Sequence, residues 1–160
     1  MSTPSDEQLR ESSEHVAYEI HMFTYCLRRL GEIPDGSSEE TNVYLECLLY
    51  HFRCLVDFLE PPAVETESSS RKDDIRASLF WRTADQWKEE AAKFGGLRSS
   101  HVRLNKSLAH LTFRRHTLKG KEWDTGPLAR DLSSCLEAFC NGALRQLIDK
   151  DLAQTAKQLK

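Results

Sequence analysis

No apolar run in the sequence approaches the roughly 18 residues that mark a membrane span. The opening stretch MSTPSDEQLRESSEH is polar and acidic and has no apolar signal core. A cytoplasmic protein with no membrane partner is therefore expected. Glycine is scarce, at 7 residues, and none falls in GxGxxG or GxxxxGK[ST], so a phosphate-cradling nucleotide loop is not encoded. HExxH and Glu-x-x-His are also missing, and these would build a zinc protease or a di-iron bundle. The five cysteines, Cys26, Cys47, Cys54, Cys135 and Cys140, form no CxxC pair. Their odd number and apolar settings indicate buried, reduced thiols rather than a zinc ribbon or disulfide framework. Neither a metal nor a cofactor is expected. Sustained alternation of apolar and polar residues is lacking too, which excludes a sheet as the main element.

What remains is helical periodicity. Leu9, Val16, Ile20, Phe23, Leu27 and Leu30 make one stripe on a first helix from about Ser5 to Leu30. GEIPDGSS breaks it. Ser37 or Ser38 caps a second helix with Glu39 and Glu40 in its first turn, where acids suit the helix dipole. This helix runs to about Leu59 and is apolar almost all round, and Pro61 and Pro62 end it. His51 lies on its apolar face, as a hydrogen-bonded core histidine would. The polar, Ser-rich segment 61–72 reads as flexible, as do residues 1–5. A short helical region follows, divided near Arg82 and Thr83, with Trp81 and Trp87 packing back on the bundle and Gly95 and Gly96 as its stop. A helix from about Ser99 to His116 comes next. Pro127 fits the first turn of a final long helix whose stripe is Leu128, Leu132, Cys135, Leu136, Phe139, Ala143 and Leu147. The tail from about Leu152 is polar and expected to fray. The pattern predicts one all-α domain over residues 1–160, a four-to-five-helix bundle.

One further absence is local. From Leu97 to Lys121 there are seven Lys or Arg residues and no Asp or Glu, although the chain as a whole carries a net charge of −3. A solubilising helix face normally mixes its charges. A basic patch on a mildly acidic protein points to a particular anionic ligand or partner rather than to bulk coating of nucleic acid. At about 100° per residue, His110 and Arg114 fall within about 20° of Arg103, and Lys106 lies about 60° away. Leu104, Leu108 and Leu111 form a separate apolar face, while Val102, Asn105, Ala109 and Phe113 lie on the far side, so apolar contacts are expected on both flanks of the polar row. An imidazole can exchange a proton at neutral pH, and a guanidinium can hold phosphate through two N–H donors. RNA carries its own nucleophile, the 2′-hydroxyl. A base, an acid and cations around the phosphate are then sufficient parts, particularly where two subunits bring two copies together.

At these residues the sequence resembles the HEPN superfamily, helical bundles widespread in prokaryotic toxins and defence systems. The signature is an Arg, four to six residues, then a His, near the start of a late helix. Here R103-LNKSLA-H110 has six residues between, and NKSLAH matches a frequent form of the motif. The order of two long helices, a variable loop, a motif helix and a final helix is also similar. Leu104 follows the Arg directly, with the polar Asn105 one place later. The resemblance implies a HEPN-like bundle and a metal-independent endoribonuclease that uses Arg103 and His110 at a cleft between two subunits, with Asn105 as a further binding residue. Lys106, Arg114 and His116 are added as binding residues from the charge pattern alone. The implied partners are RNA, a second copy of the chain, and an antitoxin or other regulatory protein. Many relatives have lost catalysis, which leaves open a second reading, a helical module that binds nucleic acid or a protein partner.

Overall fold

The computed structural model describes residues 4–34, 38–60, 74–107 and 123–157. Helix α1 (Asp6–Glu32) starts at a capping box. The Ser5 hydroxyl accepts the Gln8 N–H at 3.2 Å, and the Ser5 N–H donates to Gln8 Oε1 at 2.8 Å. These bonds satisfy donors that the first turn would otherwise leave open. Leu9, Val16, Ile20 and Phe23 are buried as their spacing predicts, while Leu27 and Leu30 are half-buried. Helix α2 (Ser38–Leu59) packs along α1 and begins with Glu39 and Glu40 in its first turn. Its capping position falls at residue 37, outside the described residues, as does the expected flexible segment 61–72.

Leu48, Leu49, Phe52, Leu55 and Val56 of α2 are almost wholly buried. The helix is not covered all round, however. Val43 and Tyr50, two turns apart, remain 64% and 62% exposed. His51 is a core histidine, as expected: its Nδ1 lies 2.7 Å from Glu19 Oε2 on α1, and the rings of Tyr18 and Tyr50 meet it edge-on.

The region from residue 74 is in two pieces, as predicted. A 3₁₀ turn (Ala77–Phe80) precedes α3 (Ala84–Ala91), and Thr83 caps α3 by accepting the Gln86 N–H at 3.3 Å. Phe80, Trp87, Phe58 of α2 and Phe139 form an aromatic knot, with ring centroids 5.1–5.9 Å apart and edge-to-face packing. Trp87 is fully buried, and its Nε1–H donates to the Leu59 carbonyl at 2.9 Å. That carbonyl belongs to the last turn of α2, where no intrahelical donor is available.

Three boundaries differ from the periodicity. Gly95 and Gly96 do not stop a helix. A 3₁₀ segment (Ala92–Phe94) tightens the chain, and α4 (Gly95–Ser107) begins at Gly95, whose φ of −58° and ψ of −20° are helical. Glycine permits unusual backbone angles but does not impose them. Helix α5 (Thr125–Gly142) opens with Asp124 as its cap and Pro127 in its first turn. It closes at Gly142, before the last two residues of the predicted stripe. A Cβ on Gly142 would overlap the Trp81 indole, and the Leu144 N–H leaves the helix to donate to the Phe80 carbonyl at 2.8 Å. Ala143 and Leu147 stay buried although the chain there is no longer α-helical. Finally, the chain around Leu152 is not a frayed tail. It forms α6 (Lys150–Lys157), which packs on α1 and α5 with Leu152 fully buried. Buried Ser13 joins these ends: its hydroxyl donates to the Arg10 carbonyl at 2.7 Å and accepts the Asp149 N–H at 2.8 Å.

The described residues are all-α, with no strand among them, and they form a helical bundle. No helix among them is long and apolar enough to cross a membrane. The cysteines are free thiols. Cys26 and Cys135 are buried, whereas Cys47, Cys54 and Cys140 are only partly so. Burial pushes the Cys26 and Cys135 thiols up to about 12 and the Cys140 thiol to about 11. The thiolate is the reactive form. Labelling of the native protein with a disulfide reagent at pH 8 is therefore expected to spare Cys26 and Cys135 and to reach all five cysteines only in denaturant. Rapid native labelling of Cys135, read by mass spectrometry, would contradict this packing.

Candidate functional site

Helix α4 carries the start of the motif and is fixed against α2 and α5. Leu97 and Leu104, two turns apart, are 5% and 2% exposed and form its inward edge with His101 between them. The His101 ring lies between two carboxylates from the end of α2. Its Nε2 is 3.0 Å from Asp57 Oδ1, and its Nδ1 is 3.6 Å from Glu60 Oε2. The acid-free stretch thus meets acids across the helix interface rather than along its own helix. Asp57 is shared with Arg53, whose Nε is 3.7 Å away. The spacing of His101 from Leu97 and Leu104, by four and three residues, is the sequence signal of its inward position.

Arg103 is exposed. Its guanidinium carbon sits 4.3 Å from the centroid of the Trp123 ring. That is within cation–π range, an attraction of about 0.5–1 kcal/mol at an exposed position. Trp123 immediately precedes Asp124, whose Oδ1 accepts the Gly126 N–H at 3.2 Å and caps α5. The arginine of one helix is therefore laid on an aromatic ring at the start of the next. Nineteen residues separate Trp123 from Arg103, and no local sequence pattern links them.

The flanks of the polar row are unequal. Leu104 is in the core, but Val102, expected to make apolar contacts on the far side, is 47% exposed. Among the described residues, α4 is buried along Leu97 and Leu104, while Val102 and Arg103 lie at the surface. Asn105 and Lys106 lie in the last turns of α4, and their side chains fall outside the described residues. His110, Arg114 and His116 also lie outside the described residues.

Of the other histidines, His15 and His21 are exposed on α1. Among the described residues no three His, Cys, Asp or Glu side chains converge as a metal site would require. An open hollow of about 540 Å³ lies where α3 meets the end of α5, lined by Trp81, Arg82, Gln86, Glu89, Lys93 and Leu144 among others. Its walls carry both charge signs, and none of the sequence-predicted site residues lines it. Compared with family models, curated proteins and solved structures, the chain finds no match.

Proposed function

We propose that the chain is a metal-independent endoribonuclease of the HEPN type. His110 exchanges protons with the 2′-hydroxyl or the leaving oxygen, and Arg103 stabilises charge on the phosphate. The observation that carries this reading is the exposed Arg103 guanidinium, laid on Trp123 at the head of the spacing R103-LNKSLA-H110. Around it, seven cations and no acid lie between Leu97 and Lys121. An endonuclease that leaves a 2′,3′-cyclic phosphate needs no external nucleophile, so positioned proton-transfer groups and cations are sufficient chemistry. Asn105, Lys106, Arg114 and His116 belong to the RNA-binding surface in this reading.

The reading also takes two copies of the chain to complete one cleft. Val43 and Tyr50 on α2 and Tyr18 on α1, all more than half exposed, provide apolar surface for association. A specific dimer buries about 800 Å² per subunit. An antitoxin or other regulatory protein is the remaining partner that the reading implies.

Purified protein is expected to cut single-stranded RNA in the presence of EDTA and to sediment as a dimer at micromolar concentration. Loss of cutting on chelation would overturn the metal-free mechanism. A monomer that cuts would overturn the composite cleft. Binding of RNA without cleavage would instead favour the non-catalytic module.

A further inference from the structure

Two thiols meet across the first helix pair, and the nuclease reading uses neither. We propose that Cys47 and Cys26 form an oxidant-dependent modification site: peroxide converts the half-buried Cys47 to a sulfenic acid, and the buried Cys26 thiol resolves it into a disulfide that joins α1 to α2. The proposal is independent of the nuclease reading.

Cys26 is 1% exposed on α1, and Cys47 packs half-buried against the same core from α2. The two side chains are hydrogen-bonded to each other. The contacts around them agree. Arg29 reaches Glu40 at 3.7 Å and Glu19 reaches His51 at 2.7 Å, so the helices run antiparallel. Between these ends, Phe23 meets Phe52 and Tyr25 meets Tyr44, each with ring centroids 6.3 Å apart. Cys26 directly follows Tyr25 on α1, and Cys47 lies between Tyr44 and Phe52 on α2. A disulfide forms only between cysteines whose side chains point at each other, and two thiols bonded to each other satisfy that. Cys54 is otherwise engaged, in hydrogen bonds with Tyr50 and Glu19.

The two members have different tasks. Cys47 is the one that solvent reaches. Its sulfur attacks peroxide, the O–O bond breaks, and the leaving hydroxide departs as water with the thiol proton. Cys26 then attacks the Cys47 sulfur. The S–S bond forms, the S–O bond breaks, and the hydroxyl leaves as water with the Cys26 proton. Two thiols have lost two hydrogens, and one peroxide has become two waters. Burial first, and then the bond to Cys47, push the Cys26 thiol up to about 12. Its thiolate is scarce at neutral pH, so Cys26 reacts with a sulfur already beside it and not with oxidant from solution. The bridge closes the chain between the two helices into a ring, which restricts the unfolded chain and stabilises the fold. Cys47 also lies between Val43 and Tyr50, four and three residues away, on the exposed stripe assigned above to association.

The test uses the full chain, reduced and then freed of reductant, with hydrogen peroxide as the oxidant. It is run at low and at high protein concentration, so that association along that stripe does not decide the result. Remaining thiols are alkylated, and a digest made without reductant is read by mass spectrometry. A Cys26–Cys47 linked peptide is expected, together with a gain in Tm of about 5 °C or more that dithiothreitol reverses. Dimedone, which traps sulfenic acids, should mark Cys47 early in the reaction and leave Cys26 unmarked. Cys47→Ser should abolish the link and the gain, and Cys54→Ser should keep both. The wild-type peptide map decides the pairing even where a variant folds poorly. Cys26 and Cys47 both alkylated at both concentrations, Cys47 joined to Cys47 of a second copy, or a linked peptide with no gain in Tm would each overturn the proposal.

Discussion

His110→Ala is expected to slow RNA cleavage by about 10²-fold to 10⁴-fold, the usual contribution of a positioned general acid or base. Arg103→Ala should cost a comparable factor, because a cation that meets charge developing on phosphorus acts mainly in the transition state. The arginine variant should melt with the wild type. Its side chain is exposed, and surface substitutions usually stay within about ±0.5 kcal/mol. Arg115→Ala is the comparison, since position 115 lies about 120° round an ideal helix from Arg103. It removes the same charge from the same basic stretch and should leave the chemical step nearly unchanged. The measurement is single-turnover cleavage with saturating protein, which separates chemistry from binding. Cleavage by the His110 and Arg103 variants at the wild-type rate would end the nuclease reading. An equal loss in Arg115→Ala would reduce the stretch to a general polyanion surface.

Trp87→Ala should produce the largest loss of stability from one substitution. The side chain is fully buried, meets Phe139 edge-to-face at 5.7 Å, and donates to the Leu59 carbonyl at 2.9 Å. Removing a buried aromatic costs about 3–5 kcal/mol, and the orphaned carbonyl adds about 1 kcal/mol or more. Total stability for a domain is about 5–15 kcal/mol, so the variant should be near its limit at room temperature. Calorimetry should show a fall in Tm of roughly 10 °C or more. Trp87→Phe keeps most of the ring packing and loses the donor, so its fall should be about half as large or less. A Trp87→Ala protein that melts within a few degrees of wild type would mean that this aromatic knot is not the centre of the core.

The parts of the fold that sequence reveals are those decided by near neighbours. The break at Thr83 before α3 can be read directly, whereas Ser5, placed in a stretch whose composition reads as flexible, is the cap of α1 through Gln8. The inward stripe of α1 follows from spacing alone. Other features depend on partners far along the chain. The apolar spacing of Phe139, Ala143 and Leu147 runs on past the end of α5, because both helix and turn can bury residues four apart. What ends the helix is the Trp81 ring against Gly142 and the Phe80 carbonyl that draws in Leu144, and neither is visible locally. Leu152 looks isolated among polar residues, yet it is fully buried where α6 packs on α1 and α5. The site divides in the same way. Arg103 stands out through the motif and the absence of acids, whereas its aromatic partner and the acids around His101 come from other helices.

The bond between Ser13 and Asp149 has a consequence for synthesis. A ribosome makes α1 first and α6 more than a hundred residues later, at about 5–20 residues per second. For several seconds the flank of α1 around Ser13 has no partner, and the nascent helix must wait with that side open. Early-made helices with late-arriving neighbours are the ones that need shelter, from α2 in the first instance and from chaperones while the rest of the chain emerges.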